Sequence, residues 1–370
     1  MIVTDAWLPQ VNGVVRTLAT LADALRRAGH VVEIVGPDRF RTLPCPTYPD
    51  IRLALFPARP LERLIDRFEP DALHVATEGP LGRAAAHIAK RRRLAFTTAY
   101  HTRFPEYVQA RTGLPTRFSY AMLRRFHATG AGMFVATESL RAELAQRGFS
   151  RSILWSRGVD CAQFPPRLDQ RPGPPTFLYV GRVAVEKNIR AFLDLDLPGA
   201  KRVVGDGPQL AELRRAYPDV IFSGALHGRA LANAYADADV FVFPSLTDTF
   251  GLVLLEALAC GTPVAAFPVT GPRDVLAHAT GHIGALNTDL REAALAALSG
   301  DRAACRAHAE RFSWEACAAT FVAALVPMKG GSPPPRAQGL ALAETRRLPA
   351  QRARHAAARH ARRARMIGRR

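Results

Sequence analysis

Short apolar runs rich in β-branched and aromatic residues alternate along this chain with longer stretches whose apolar positions recur every three or four residues. The short runs at 2–4, 31–36, 72–75, 94–99, 133–136 and 153–155 predict six strands. Between the first two, residues 14–27 carry helical periodicity and stop before Gly29, a residue suited to end a helix. Strand, helix and strand in that order predict parallel βαβ units.

A segment with five Pro in twelve residues, 164–175, interrupts the rhythm. It restarts with runs at 177–180, 202–205, 220–222, 240–243, 264–267 and 282–286. Two similar Rossmann-like α/β domains joined by a linker are therefore expected, over 1–165 and 176–311, and 370 residues suffice for two cores. Open parallel sheets bind ligands beyond the carboxyl ends of their strands, so two such sheets facing each other predict a site in the cleft between them.

Composition then changes from about residue 327. Residues 328–370 are rich in Gly, Pro, Ala and Arg, and hold twelve of the 50 Lys and Arg but one of the 32 Asp and Glu, so most of the net charge of +18 belongs to this tail. The tail lacks the large apolar residues of a core and reads as a basic, disordered extension; its Ala-rich part, 353–364, also suits an anionic bilayer surface. The modest charge of the rest argues against a dedicated nucleic-acid binder, and no nucleic-acid partner is expected. Five scattered Cys without a Cys-x-x-Cys pair suggest neither a disulfide framework nor a zinc site, and a reducing, cytoplasmic setting is expected. No apolar run approaches the ~18 residues of a membrane span, and the first residues lack the pattern of a signal peptide.

The segment Pro244-Ser-Leu-Thr-Asp-Thr-Phe-Gly-Leu-Val-Leu-Leu-Glu-Ala-Leu-Ala-Cys-Gly-Thr-Pro263 carries the densest chemistry. A strand ends there, a Thr/Asp-rich turn follows, and an apolar helix is predicted to begin near Phe250. Free amides of Phe250, Gly251, Leu252 and Val253 would suit a diphosphate. Glu256 follows about 7.5 Å along the axis, a separation at which a ribose hydroxyl meets a carboxylate. Asp248, ahead of the helix, suits the hydroxyls of a second sugar. Asp248 equally suits a helix cap, and Glu256 a solvated carboxylate. Arg182 and Lys187, in Tyr179-Val-Gly-Arg-Val-Ala-Val-Glu-Lys-Asn188, leave the end of the second domain's first strand, where cations would neutralise a diphosphate, although surface ion pairs would look the same. Gly13, in the loop after the first strand, allows a backbone to approach a phosphate. His101 lies just past the fourth strand, at the expected edge of the cleft.

Taken together, these segments resemble the retaining GT-B glycosyltransferases of the large bacterial family that includes phosphatidylinositol mannosyltransferases, sulfolipid synthases and sucrose synthases. The resemblance covers about residues 1–327 and runs most to the GDP-mannose-dependent α-mannosyltransferases, through Val3-Thr-Asp-Ala-Trp-Leu-Pro-Gln-Val-Asn-Gly-Val-Val-Arg-Thr17, Thr77-Glu-Gly-Pro-Leu81, Tyr100-His-Thr102, Ser156-Arg-Gly-Val-Asp160 and the two segments above. It implies a GT-B fold, two facing Rossmann-like domains with residues 312–327 crossing back to the first. It also implies a nucleotide-diphosphate sugar as donor substrate, with no metal and no other cofactor, and a lipid or lipid-linked acceptor at the cytoplasmic membrane face.

By the same resemblance Arg182 and Lys187 neutralise the leaving diphosphate, Glu256 binds the ribose, and Asp248 with the amides of Phe250, Gly251 and Leu252 holds the donor sugar and phosphate. Gly13 lets the opposing loop close, and His101 contacts the donor sugar near the reacting carbon. Two departures stand out: Asp248 occupies a position where many members carry Glu, and the first strand begins almost at Met1. The shorter acid leaves open a UDP-sugar-dependent glycolipid synthase, and the basic tail a non-enzymatic nucleotide-sugar or nucleic-acid binder.

Overall fold

The computed structural model describes residues 1–10, 12–45, 48–167 and 173–328. The basic tail and the middle of the Pro-rich linker, 168–172, lie outside the described residues.

Strands β1 (Ile2–Val3), β2 (Ile34–Val35), β3 (Thr42–Cys45), β4 (Tyr48–Ala54), β5 (His74–Val75), β6 (Thr97–Tyr100), β7 (Gly132–Val135) and β8 (Ser152–Leu154) come from the first half. Six of them form a parallel sheet in the order β2-β1-β5-β6-β7-β8. The second half gives β9 (Thr176–Val180), β10 (Ala200–Val204), β11 (Ile221–Phe222), β12 (Val240–Phe243), β13 (Val264–Ala266) and β14 (Gly284–Leu286), also parallel, in the order β11-β10-β9-β12-β13-β14. Each predicted strand run coincides with one of these twelve.

Alternation along the strands divides each core into two layers. Ile2 turns toward Leu18, Leu21 and Leu25 of the helix Gly13–Arg27, whereas its neighbour Val3 turns toward Leu61 and Ile65 of Ala58–Phe68 and Leu81, Ala85 and Ile88 of Pro80–Arg92. In the second sheet Leu178, Val180, Phe241 and Phe243 face one layer while Phe177, Tyr179, Val240 and Val242 face the other. Burying a side chain such as Phe177 or Leu178 completely contributes about 1.5–3 kcal/mol each. The helix Gly13–Arg27 is capped by Asn12, whose Oδ1 accepts from the amides of Val14 and Val15 at 3.0 Å, and it ends at Gly29 with φ +87°.

The chain crosses between the halves twice. It leaves the first sheet after Trp155, and it returns through the helix Trp314–Ala324, whose Trp314 and Phe321 pack beside Trp155 and Leu18 in the first core. Trp155 Nε1 donates to Cys317 O at 3.1 Å. The two crossings touch: Val159 N donates to Phe312 O at 2.9 Å, and a Cβ on Gly158 would stand 2.5 Å from Trp314 N.

The antiparallel hairpin β3–β4 was not expected from the pattern, because Pro44 and Pro49 stand inside it. It lies apart from both parallel sheets.

Candidate active site

In a doubly wound sheet the loops diverge where strand order reverses, and that opening is where ligands sit. The reversal falls beside β1 in the first sheet and between β9 and β12 in the second. Residues 4–10 leave β1 in the first sheet, while residues 181–184 leave β9 and residues 244–251 leave β12 in the second, so each sheet opens its loops at its own switch point.

Lys187 ends a short 3-10 turn, Val185–Lys187, held because Asn188 takes a left-handed φ of +52° and donates through Nδ2 to Pro244 O at 3.1 Å. Its Nζ lies 2.5 Å from Asp248 Oδ1. Burial opposes the charge on Lys187, but the Asp248 carboxylate, with the Tyr107 and Tyr179 phenols, outweighs it and holds the pKa above the ordinary value. Asp248 is thus an ion-pair partner rather than a helix cap, and its second oxygen, Oδ2, is buried without a hydrogen-bond partner. The Val204-Gly-Asp-Gly-Pro208 turn props the loop that carries Arg182. A Cβ at Gly205 would fall 1.8 Å from Gly181 O, and one at Gly207 2.4 Å from Val183 O, so these glycines permit backbone contact.

The helix after β12 is Leu252–Ala259, two residues later than the predicted start at Phe250. Gly251 has φ +86°, a left-handed conformation that favours glycine, and the Phe250 side chain before it is buried in the core. A Cβ there would also press on Leu254 and Phe243. Leu252 packs against the cores of both halves. The first amides of a helix lack intrahelical partners, so the segment 250–253 supplies donors at the start of this helix.

Glu256 is not a solvated carboxylate. Its side chain is 4% exposed; Oε2 accepts from Tyr235 Oη at 2.9 Å, and Oε1 pairs with Arg16 Nη2 of the opposing domain. Arg16 stands in the first turn of the helix Gly13–Arg27, where the helix dipole disfavours a cation; a basic residue there was the signal that its partner lies elsewhere. Neither Arg16 nor Tyr235 was identified from the sequence. Gly13 is exposed, has no left-handed φ, and a Cβ on it would meet nothing within 4 Å, so neither the backbone nor packing demands glycine at that position.

The first domain closes the arrangement. Thr249 Oγ1 donates to His101 O at 2.7 Å, and Tyr107 of Phe104–Thr112 reaches Thr247, beside Lys187 and Asp248. Burial pushes the Tyr107 phenol up. His101 Nε2 is buried without a partner. Further ties join Arg103 Nη2 to Thr270 Oγ1 at 3.0 Å and Ser139 Oγ to Asp274 Oδ1 at 3.0 Å. Arg182, Lys187, Asp248, Phe250, Gly251, Leu252 and Glu256 thus belong to the second domain and Gly13 and His101 to the first, with the Thr249 to His101 and Arg16 to Glu256 contacts among those that join the two. Among the described residues no three His, Cys, Asp or Glu side chains converge as metal ligands.

Two parallel sheets opposed across polar loops at their switch points are the architecture of a GT-B glycosyltransferase. Residues 11–163 match Glycosyltransferase Family 4 and residues 174–299 match Glycosyl transferases group 1. A GDP-mannose-dependent α-mannosyltransferase of Mycobacterium tuberculosis is 33% identical over 310 residues, which are 76% of this chain and 82% of that one. The chain belongs to this glycosyltransferase family and is a nucleotide-sugar-dependent hexosyltransferase. An α-monoglucosyldiacylglycerol synthase of Streptococcus pneumoniae is 28% identical over 307 residues, 71% of this chain and 69% of that one. Among solved structures, sucrose-phosphate synthase from Thermosynechococcus elongatus shares the fold, with a TM-score of 0.68 at 21% identity over 87% of this chain and 97% of that one.

Proposed function

We propose that this chain transfers a hexose from a nucleotide-diphosphate sugar, GDP-mannose first among them, to a lipid or lipid-linked acceptor with retention, giving an α linkage. The observation that carries the reading is the pair of buried atoms without partners, Asp248 Oδ2 and His101 Nε2, contributed by the two domains and joined through the Thr249 to His101 bond. One accepts and the other, when protonated, donates, as a sugar's hydroxyls require. Lys187 stands beside them, with Arg182 and the 250–253 amides, for the leaving diphosphate. The acceptor hydroxyl attacks the anomeric carbon on the face the diphosphate leaves. The bond from that carbon to phosphate oxygen breaks, and the acceptor's proton passes to the departing phosphate. In this reading the protein's own cations and amides stabilise the leaving group, without a metal or other cofactor. Glu256 takes the ribose hydroxyls in exchange for Arg16.

Nucleotide release from GDP-mannose, UDP-glucose, UDP-galactose and UDP-glucuronate tests this, with and without vesicles of diacylglycerol or acidic phospholipid and with mass spectrometry of the lipids. GDP release that depends on vesicles, with a lipid gaining one hexose, is expected. Release from a UDP-sugar alone would instead favour a glycolipid synthase of the glucosyl, glucuronosyl or sulfoquinovosyl type, the reading that the shorter acid at Asp248 and the diacylglycerol-named relative support. Gly13→Ala should leave the thermal midpoint unchanged and raise the donor KM about tenfold, within the ~1–3 kcal/mol that steric intrusion costs. An unaltered KM would remove Gly13 from the site.

We place the enzyme, by the same reading, at the cytoplasmic face of a membrane with an anionic surface. No helix among the described residues is long and apolar enough to cross a membrane. The helix Thr116–His127 and the turn before it expose Leu114, Phe118 (58% exposed) and Met122 beside Arg117, Arg124 and Arg125. By contrast, Arg91 and Arg92 of the 90–93 basic group pair with Glu62 and Asp66 and are less available to lipid. Joint replacement of Arg117 by Glu and Phe118 by Ser is expected to weaken binding to acidic vesicles by about tenfold or more, since each basic residue near such a surface contributes ~1 kcal/mol. Sedimentation with vesicles measures this, and undiminished binding would exclude this face.

A further inference from the structure

Arg157, in the Ser156-Arg-Gly-Val-Asp160 segment just after β8, is 5% exposed, yet among the described residues no Asp or Glu pairs with it. A guanidinium in such a place is expensive unless its donors are used. Nη1 donates to Trp155 O at 2.7 Å and to Ser156 O at 3.2 Å, and the group lies over the Trp155 ring, 4.1 Å from its centroid. Nη2 stands 3.3 Å from His101 Nδ1. Arginine has five donors and no acceptor, so Nδ1 accepts this bond. A neutral imidazole accepting at Nδ1 carries its proton on Nε2. That nitrogen is the buried atom without a partner at the domain interface.

We propose that Arg157 is a positioning residue for hexosyl transfer: by donating to Nδ1 it holds the His101 imidazole neutral, with its hydrogen on Nε2 directed to a hydroxyl oxygen of the transferring sugar. This rests on the reading of His101 as a sugar contact and adds the group that sets its tautomer. The surroundings of His101 agree. Burial depresses its pKa well below the ordinary value, and Arg157, His74 of β5 and His127 of Thr116–His127 each add to the depression. His74 is itself pushed down to about 3 by burial and is neutral, and His127 Nε2 lies 3.1 Å from Glu78 Oε1. The Trp155 ring meets His101 edge-on at 6.0 Å, and Thr249 occupies its backbone oxygen. Arg157 is thus the cation directly bonded to the ring, and its removal frees Nδ1 to take a proton.

The test is the ¹⁵N spectrum of histidine-labelled full-length protein, with His101 assigned by its loss in His101→Asn. The expected wild-type spectrum has a pyrrole-like Nε2 and a pyridine-like Nδ1, unchanged from about pH 5.5 to 8. A wild-type His101 protonated on Nδ1 or on both nitrogens overturns the inference with no variant needed. In Arg157→Met the resonance is expected to move its proton to Nδ1, or to titrate at a higher pH than in the wild type while staying below the ordinary value, because burial remains. Its kcat for the hexosyl donor should fall about tenfold or more with donor KM little changed, and an acid limb should appear in the pH profile. Arg157→Lys, which keeps a charged donor, should recover part of both. If Arg157→Met retains the wild-type tautomer, or alters it while kcat and the pH profile stay unchanged, the inference fails and the transferase reading stands. If the wild-type protein releases nucleotide from none of the donors, the transferase reading fails and Arg157's part in transfer fails with it.

Discussion

Replacing Lys187 by Ala is expected to reduce hexosyl transfer by about 10²–10³-fold, the loss that follows removal of one preorganised donor to a developing oxyanion. As the diphosphate leaves in the proposed reaction, negative charge grows on its oxygens, and Lys187 would meet it from a half-buried site. Asp248 holds the ammonium at 2.5 Å before any donor arrives, so little reorganisation remains for the reacting state. The effect should therefore appear in kcat under single-turnover conditions and little in nucleotide affinity. Folding should survive. The Asp248 side chain keeps 18% exposure and can take water in place of its partner, so the thermal midpoint should fall only about 2–4 °C, the shift produced by ~1 kcal/mol in a domain of this size. Turnover within threefold of wild type in a folded variant would show that Lys187 does not face the leaving group.

The second large effect belongs to Glu256, and it should have the opposite kinetic character. Glu256→Gln keeps the shape of the side chain and an acceptor for Tyr235 but loses the charge proposed to receive ribose hydroxyls. Nucleotide Kd, measured by calorimetry with GDP, should rise about 10- to 100-fold, corresponding to the ~1.5–3 kcal/mol of a charge-assisted hydrogen bond. Chemistry at saturating donor should change far less. Glu256→Ala would strand the buried Tyr235 hydroxyl as well, at about 1–3 kcal/mol of stability, so the Gln variant is the clean probe. A nucleotide Kd within twofold of wild type would assign Glu256 to the Arg16 tie alone.

The sequence made the sheets readable because parallel strands are covered on both faces and register as short apolar runs. That relation holds for β9 and β12, in which Phe177, Leu178, Val240, Phe241 and Val242 are all fully buried. It fails for β3–β4, a hairpin interrupted by Pro in which no residue of β3 is fully buried. The candidate residues that leave strand ends, Arg182, Lys187 and His101, were legible because strand position predicts where a loop opens. Pairings across the cleft were not. Arg16 lies 240 positions from Glu256, and no local spacing reports such a contact. The start of the Leu252–Ala259 helix was misplaced for a local reason: apolar periodicity continues through Phe250, while the left-handed φ of Gly251 decides where the first turn begins.

The paired crossings at Val159 and Phe312 have a mechanical consequence. Two segments of chain hydrogen-bonded side by side resist moving independently, so a displacement of one half against the other carries both crossings with it.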